Sequence, residues 1–524
     1  MVAAGREGSR LNLFGPAFSL HLKGVYRWMR QAAADPGGSQ RRVLGRLLAR
    51  ARTTWFGRRH GFASILSHAD FVKAVPIADY VGRKDLFDRI VHGEPNVSWP
   101  GWVRYFARTS GTTAGDKWIP ITPAMRRSDM RAGAAMFACS DHVLPGSMSR
   151  MLGGRMLFLT APTSLVPTGY GGWVGDLSGI SARWLFWPAT RRYEPGLEIA
   201  DIRDWNERNE KTALRLRGAD LRWATGIPTW SRHLFDRCCA VAGVPTDGGL
   251  SDLWPNFEVF VHGGASFEPY RATFRRYFRP DHRVRFQEVY VASEGFVAVQ
   301  PDFDDPGMEP LVANGLFLEF VPHEEWGRPG ARRLLIDQVE PDVTYCLVVS
   351  TNAGLWAYDM GDMVRFVSVR PPRLVFAGRH MHYMNAFSEH TSGLEVSRAA
   401  AAAAEAAGAR IAEFTVAPIA LGDGRRVGAH EWVVEFERPP GAGLAAFAGE
   451  LDRVLQAINA EYALKRKGNV GLTPPEVTPV PPGTFLEWMK SRGKLGGQHK
   501  VPVCASDRRY ADGLLEVAAR KPVS

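Results

Sequence analysis

The sequence of 524 residues has few of the features that mark secreted, metal-stabilised or membrane-spanning proteins. Its five cysteines are odd in number and contain no CxxC spacing, which argues against a disulfide framework and a structural zinc site. No segment approaches the roughly 20 apolar residues of a membrane span. The N-terminal stretch MVAAGREGSRLNLFGPAF has early charges and no apolar run of signal-peptide length. We therefore expect a soluble, cytoplasmic protein that does not associate with a membrane.

Long basic runs are also missing, although the net charge is +11. The densest clusters are short, such as Arg275-Arg276, and none alternates with aromatic residues as a single-strand nucleic-acid platform does. A basic balance is compatible with nucleic acid, an anionic surface or an anionic small substrate. We expect no nucleic-acid partner, and a basic nucleic-acid binder stays as an alternative.

Apolar periodicity predicts an α/β architecture for the first part of the chain. The stretch QRRVLGRLLARARTTWFGRRHGF repeats apolar positions at helical spacing and predicts a packed basic surface helix. Strand-like runs then alternate with helical stretches over 155–300, and short strands dominate 315–375. We expect mixed or parallel sheets with flanking helices and a small β-barrel-like subdomain, a meander being the alternative.

The pattern changes after residue 379. SRAAAAAAEAAGAR forms helix readily, EFTVAPIA and HEWVVEFERPP alternate like strands, and a second helical stretch follows. We expect an N-terminal domain over 1–379 and a smaller, mobile α+β C-terminal domain over 380–524.

The stretch TSGTTAGDK supplies hydroxyls, two glycines and one lysine without any bulky apolar side chain. Backbone N–H groups, hydroxyl donors and small residues are what a phosphate-binding loop needs. Lys117 follows Asp116 and precedes Trp118, so the stretch is not a Walker loop. An ordinary surface loop is the alternative interpretation.

Two carboxylates follow strand-like runs. Glu294, in VYVASEG, lies where ligands bind in open α/β sheets and is a candidate for holding Mg²⁺; interaction with a helix N-terminus is the alternative. Asp362, in TNAGLWAYDMGDMVRF, can accept both hydroxyls of a ribose; an Asp-Gly-type hairpin turn is the alternative.

Two further stretches are weaker signals. HGGASFEP places Gly263 and Gly264 after a strand, where an adenine ring could lie against the backbone. Near the C-terminus, Lys500 stands in a Gly-flanked polar setting and could swing toward a developing phosphate charge; a solvated lysine is the alternative.

Aromatic and glycine-rich segments, PTGYGGWVGDLSGISARWLFW and WATGIPTW, could line a planar apolar cavity or could be core. The candidates for contact with an acyl substrate are Tyr170, Trp173, Trp223, Thr225 and Trp230.

The order of these stretches resembles that of the adenylate-forming enzymes. More narrowly, TSGTTAGDKWIPIT, VYVASEGF, STNAGLWAYDMGDMVRF and GTFLEWMKSRGKLGGQHKVPVC are similar to the phosphate loop, Ser-Glu-Gly strand, Gly-Asp stretch and terminal lysine signature of the GH3 family. These are the auxin-responsive acyl acid amido synthetases. The resemblance runs from about residue 100 to 505 and identifies the chain as a bacterial-type member, shorter than the plant enzymes.

The resemblance implies a role for each motif residue. Lys500, Lys117 and Glu294 would be catalytic, and Glu294 would also hold Mg²⁺. The implied ATP and AMP contacts are Thr109, Ser110, Gly111, Thr112, Thr113, Gly263, Gly264, Ala265, Tyr290, Ser293, Asp362, Arg365 and Arg379. Within that set, Asp362 would bind the ribose, Tyr290 would stack on the adenine, and Arg379 would lie at the hinge between the domains.

The resemblance also implies a two-step reaction with ATP and Mg²⁺ as cofactors. A carboxylic acid, expected to be aromatic, is adenylated, and an amine, typically an amino acid, then displaces AMP to give an amide. Transfer to a thiol, of coenzyme A or a carrier protein, is the alternative reaction. A non-catalytic nucleotide-binding protein is the alternative from another class. A monomer is expected.

Overall fold

The computed structural model describes residues 14–110, 116–185, 189–264, 266–380, 384, 386–387, 389, 391–419, 427–469, 471–493, 495 and 500–521. The α-helices are, in chain order, α1 (Phe14–Ala34), α2 (Pro36–Ala51), α3 (Trp55–Arg59), α4 (His68–Ala74), α5 (Lys84–Val91), α6 (Pro123–Val143), α7 (Ser147–Met151), α8 (Leu177–Arg183), α9 (Ala189–Arg192), α10 (Leu197–Ala200), α11 (Trp205–Leu216), α12 (Pro228–Ala242), α13 (Leu250–Leu253), α14 (Glu268–Arg276), α15 (Gly393–Ala406), α16 (Leu444–Ile458), α17 (Ala460–Arg466), α18 (Thr484–Ser491) and α19 (Arg509–Ala519). The strands are β1 (Tyr105–Ser110), β2 (Asp116–Ile121), β3 (Arg155–Phe158), β4 (Val166–Pro167), β5 (Trp173–Gly175), β6 (Tyr193–Glu194), β7 (Leu221–Gly226), β8 (Val259–Gly263), β9 (Arg285–Ala292), β10 (Gly295–Val299), β11 (Glu309–Pro310), β12 (Leu316–Pro322), β13 (Thr344–Thr351), β14 (Tyr358–Val369), β15 (Pro372–Arg379), β16 (Arg410–Ile419), β17 (Ala429–Arg438) and β18 (Glu476–Val480).

The basic helical stretch near the N-terminus forms α2, a packed surface helix. Asp35 caps its first turn by accepting a hydrogen bond from the backbone N–H of Gly38 at 2.9 Å, and Pro36 occupies the first helical position. Leu44, Leu47 and Leu48 form one buried face with Val43. The prediction of a packed helix with an arginine-rich outer face is therefore confirmed as far as Ala51; the rest of the stretch turns at Thr54 and forms α3.

A seven-stranded sheet forms the centre of the N-terminal part, in the order β11-β10-β9-β8-β7-β3-β6. Neighbours from β6 to β9 pair in parallel, whereas β10 and β11 run antiparallel at one edge. Helices α11, α12 and α14 lie between its successive strands in the chain. Because parallel strands end at the same edge, the segments after β3, β7, β8 and β9 meet there. The predicted α/β class is confirmed.

A smaller sheet carries the hydroxyl-rich stretch. Its order is β2-β1-β5-β4, and β1 pairs antiparallel with β2. Thr109 and Lys117 are direct partners in that register, one pair before Ser110 and Asp116, which are the last paired residues of the two strands.

The strands between 316 and 379 form an open meander rather than a barrel. They are ordered β12-β13-β14-β15, each antiparallel to its neighbour, and the described strands show no pairing of β12 with β15. The predicted barrel-like subdomain is thus wrong, and the meander alternative is what the chain forms. The meander packs instead through Leu318, Phe320 and Val364 onto the core that contains β10.

The C-terminal part is a three-stranded sheet, β16-β17-β18, covered by α15 and α16. An apolar cluster joins it to the N-terminal part: Trp205 and Trp230 pack with Phe485, Trp488 and Met489. Among the described residues, no helix combines the length and apolar character that crossing a membrane would require. The expected domain boundary near residue 379 stays a prediction.

Candidate active site

Two of the predicted residues, Tyr290 and Arg379, contact a third, the buried carboxylate of Asp362. The Tyr290 hydroxyl donates a hydrogen bond to Asp362 Oδ2 at 2.7 Å, and Arg379 Nε donates to Asp362 Oδ1 at 2.9 Å. Asp362 and Arg379 are register partners of β14 and β15, while Tyr290 comes from β9. The meander therefore delivers the carboxylate to the edge of the seven-stranded sheet.

Asp362 is an interior strand residue rather than part of a tight turn. It lies within β14, and Gly361 before it adopts a φ of +78°, a conformation that suits glycine. The Gly361 N–H donates to Asp359 Oδ1 at 2.7 Å, which fixes this local irregularity. The hairpin-turn interpretation of the Gly-Asp pair is therefore wrong.

Glu294 lies in the turn between β9 and β10, beside the same cluster. Burial raises the pKa of Glu294 to about 7, and the negative charge of Asp362 adds to this; the charges of Arg379 and Lys117 act in the opposite direction. Glu294 forms no ion pair with a described residue. It is a half-buried carboxylate that a bound cation would stabilise in its ionised form.

Lys500 reaches the cluster from the C-terminal part. Its Nζ lies 6.0 Å from the ring centre of Phe376. The surrounding protein lowers the pKa of Lys500 to about 8, helped by Arg379 and opposed by Asp362, although the side chain keeps contact with solvent. Because the side chain is exposed, the solvated-lysine alternative stays open.

The hydroxyl-rich loop is described only at its two ends. Thr109 and Ser110 end β1, and Lys117 lies in β2, close enough for its charge to act on Glu294. Gly111, Thr112 and Thr113 lie outside the described residues, as does Ala265.

The other backbone positions flank the cluster. A Cβ at Gly263 would lie 2.4 Å from the Val289 carbonyl oxygen, so the close approach of β8 and β9 requires glycine there. Gly264 follows with a φ of +76°. Ser293 is buried in the turn before Glu294. Tyr290 is itself buried against Phe376, and its hydroxyl orients Asp362.

Arg365, another predicted nucleotide contact, lies three residues after Asp362 on β14. No hydrogen bond or ion pair among the described residues joins it to Asp362 or Arg379. Its Nε is buried without a hydrogen-bond partner. Burial lowers the pKa of Arg398, and the charge of Arg365 lowers it further, which places Arg365 beside Arg398.

A cavity of about 950 Å³ lies at the carboxyl ends of the parallel strands and reaches Ala292, two residues before Glu294. Arg379 and Lys500 line a second, smaller cavity, and Trp230 lines both. Trp223, Thr225 and Trp230 line the large cavity, together with Gly263 and Gly264. Its walls are apolar and aromatic, as expected of a small-molecule pocket, and its volume lies at the upper end of the usual range.

Two of the predicted acyl contacts are not among the residues that line this cavity. Tyr170 is 50% exposed, and its ring centre lies 4.3 Å from that of His92. Trp173 lies on β5, in the smaller sheet. The glycine-rich flanks of both residues favoured the prediction of ligand contact. The pairing of β4 with β5 instead places this segment in the smaller sheet, away from the cavity.

The sequence interpretation missed several residues of the cavity. Helix α1 contributes Phe18, Val25 and Trp28 to its wall. Asp129 and Arg208 also line it, and both lie in helical stretches whose charges resemble an ordinary solvent-exposed face. Only their burial in the folded structure distinguishes Asp129 and Arg208 from charged residues on an exposed helix face.

Models of one family match three segments of the chain. The GH3 family N-terminal domain matches residues 25–169, the central domain residues 310–379 and the C-terminal domain residues 394–509. These segments together cover more than half of the sequence, and they include β1, the end of β15 and Lys500. The chain belongs to the GH3 family.

Individual relatives agree with this assignment. The chain is 26% identical over 290 residues to indole-3-acetic acid-amido synthetase GH3.4 of Arabidopsis thaliana, an alignment that covers 50% of this chain and 46% of the relative. The chain thus spans less than half the length of that relative. A probable indole-3-acetic acid-amido synthetase, GH3.1 of Oryza sativa subsp. japonica, is 23% identical over 94% of this chain and 91% of its own length. The solved structure of GH3.15 acyl acid amido synthetase superimposes with a TM-score of 0.76 at 18% identity, covering 96% of this chain and 97% of that chain. That likeness shows a shared fold.

Proposed function

We propose that this chain is an acyl acid amido synthetase that adenylates a carboxylic acid with ATP and transfers the acyl group to an amine, typically an amino acid. The observation that carries the proposal is the convergence of Lys500, Glu294 and Asp362 beside an apolar cavity. Family membership and the amido synthetase relatives support the same reaction.

The first step must bring a carboxylate up to a triphosphate that is already anionic. Lys500 and Lys117 supply positive charge that offsets this repulsion, and the hairpin ending in Thr109 supplies hydrogen-bond donors. The carboxylate oxygen attacks the α-phosphorus, and pyrophosphate leaves. Asp362, oriented by Tyr290 and Arg379, accepts hydrogen bonds from the ribose hydroxyls and holds the α-phosphate in line.

Glu294 is the group that fits Mg²⁺. Magnesium binds proteins through one or two carboxylates and completes its shell with water and substrate phosphates. Glu294 is a half-buried carboxylate without an ion pair among the described residues, and a divalent cation would favour its ionised form. The ion would neutralise the charge that develops on the departing pyrophosphate.

In the second step an amine attacks the acyl carbon, and AMP leaves with the electron pair of the acyl–phosphate bond. Lys500 belongs to the C-terminal part, which contacts the rest through Trp205, Trp230 and Trp488. A rotation about the Gly378–Arg379 segment would withdraw Lys500 once the adenylate has formed and give the amine room to approach.

Pyrophosphate exchange with a panel of carboxylic acids tests the proposal. We expect label from pyrophosphate to enter ATP only when an accepted acid is present, and AMP to be released when amino acids are added. AMP release with coenzyme A, but not with any amino acid, would show that the product is a thioester rather than an amide. No exchange with any acid, by a protein that still binds ATP, would favour the non-catalytic nucleotide-binding alternative.

A further inference from the structure

Arg208 is a buried cation in the wall of the apolar cavity. It lies on α11, is 6% exposed, and lines the cavity beside Trp205 and Thr160. No carboxylate of the described residues forms an ion pair with it, and burial lowers its pKa while Asp176 acts in the opposite direction. A buried guanidinium without an ion pair is costly unless something else supplies its partner.

The hydrogen bonds of Arg208 leave most of its donors unused. Nη1 donates to the Ile202 carbonyl oxygen at 2.8 Å, which ties the guanidinium to the turn before α11. Nε and Nη2 donate to no described residue. Neither atom is among the fully buried polar atoms that lack a hydrogen-bond partner. Arg208 and Thr160 both line the large cavity and a smaller one of about 10 Å³ next to it, so the guanidinium lies beside space that a ligand can occupy.

The other ionisable groups of the wall do not neutralise Arg208. Arg126 and Arg131 lie over the rings of Trp184 and Trp28 and add positive charge. Burial raises the pKa of Asp129 to about 7, so much of this carboxyl is uncharged near neutral pH. An incoming anion would thus meet the positive charges of Arg208, Arg126 and Arg131, while the carboxylates of Asp176 and Asp204 act on Arg208 from outside the lining.

Strand order sets the distance between Arg208 and the reaction site. Tyr290 and Glu294 lie at the end of β9, whereas Thr160, beside Arg208, follows β3. The order β9-β8-β7-β3 separates these strands by three spacings, or about 14 Å. A ligand that touches both ends is therefore elongated.

We propose that the acyl acid is an elongated dicarboxylic acid: one carboxylate is activated beside Lys500, and Arg208 binds the second at the far end of the cavity. The proposal rests on the function proposed above and adds the class of substrate. Apolar walls between the two ends, including Trp223 and Trp230, would hold the middle of the molecule.

The test compares acids of equal length that differ only at the far end. Pyrophosphate exchange is measured with hexanedioic, octanedioic, decanedioic and dodecanedioic acids, each against the monocarboxylic acid of the same chain length. We expect the best diacid to exceed its monoacid in kcat/KM by about tenfold or more, because a hydrogen-bonded charge pair replaces a methyl group. The optimum should fall at one of the longer diacids.

Substitutions then assign the preference to one guanidinium. Arg208→Met should lower the diacid-to-monoacid ratio by about tenfold to 100-fold, and Arg208→Lys should restore part of it. Arg217→Met is the matched control, since it removes an exposed guanidinium at the end of the same helix, which does not line the cavity, and should change the ratio less than about twofold. A ratio cancels any loss of active protein, so a purely structural role of Arg208 would leave it unchanged.

Two results would overturn the inference while the proposed function stands: exchange that favours monoacids at every length, or equal effects of Arg208→Met and Arg217→Met on the ratio. Absence of exchange with every acid would instead overturn the proposed function, and this inference with it.

Discussion

Two groups of charges in this molecule share residue types but differ in how completely they are paired. In the first, Glu319 on β12 is fully buried and accepts hydrogen bonds from Arg333 Nε at 2.9 Å and Nη2 at 2.7 Å. His68 Nε2 lies 2.7 Å from its Oε1. In the second, Glu294 and Lys500 lie near Asp362 without an ion pair to any described residue.

The contrast separates charges that stabilise the fold from charges that await a ligand. Burial alone would raise the pKa of Glu319, but the hydrogen bonds from His68 and Arg333 lower it, so its ionised form is stabilised. Glu294 and Lys500 show the opposite shifts, each toward the neutral form. An arriving cation and an arriving phosphate would supply the missing partners.

The largest effect is expected from breaking the closed cluster, the fully paired group of Glu319, Arg333 and His68. Arg333→Met leaves the buried Glu319 carboxylate with His68 alone, and we expect the free energy of unfolding to fall by about 3–5 kcal/mol. Urea titration followed by tryptophan fluorescence measures it. Arg332→Met is the control. The guanidinium of Arg332 pairs with Glu325 at the surface, so the urea midpoint of unfolding should not change. Equal urea midpoints for the two variants would contradict the claim that the paired charges around Glu319 stabilise the fold.

Substitutions in the open cluster, the group of Glu294, Lys500 and Asp362, should change the reaction rate rather than the free energy of unfolding. Lys500→Ala is expected to slow acid-dependent pyrophosphate exchange by about 10²–10³-fold, because a positioned cation acts on charge that develops during the reaction. Its unfolding midpoint should not fall, since no described residue forms an ion pair with the ammonium. Lys490→Ala, at an exposed position on α18, should exchange like the parent chain.

Asp362→Asn should produce a smaller loss. The amide keeps the shape of the side chain but removes the negative charge that faces Arg379, so we expect kcat/KM for ATP to fall by about 10- to 100-fold. Steady-state exchange at varied ATP concentration measures it. Asp281→Asn, at a side chain that is 85% exposed, provides the control. An unchanged kcat/KM for ATP would remove Asp362 from the nucleotide site.

The smallest effect is expected from pH. Glu294 must be ionised to hold a cation, so activity should fall as pH drops below about 7; Lys500 must be protonated, so activity should fall as pH rises above about 8. A bell-shaped kcat/KM profile should lose roughly five- to tenfold one pH unit beyond either limit. Lys500→Arg should abolish the alkaline limb alone, because guanidinium stays protonated there. An alkaline limb that persists in this variant would assign it to another group.

The sequence predicts the open cluster better than it predicts the cavity. Glu294, Asp362 and Lys500 stand in short motifs whose residue types are unusual for their places, and each can be recognised locally. Arg208 is different, because the stretch around it has the charge pattern of a solvent-exposed helix, and only the tertiary packing of α11, chiefly against α12, buries it.

The fold shows the same division between local and distant information. Strands and helices follow from periodicity, but whether β12 pairs with β15 depends on residues far apart in the chain, and the barrel prediction fails at that point. Gly361 and Asp362 look like a turn because this pair favours one. The surrounding strand pairing keeps them within β14.

A crystal structure of the chain with AMP and a carboxylic acid tests the central claim most directly. The account predicts the ribose hydroxyls within hydrogen-bond distance of Asp362, the phosphate beside Lys500 and the hairpin that joins Thr109 to Lys117, and the acid in the cavity lined by Trp223. AMP bound elsewhere, with Asp362 still occupied only by Tyr290 and Arg379, would contradict it.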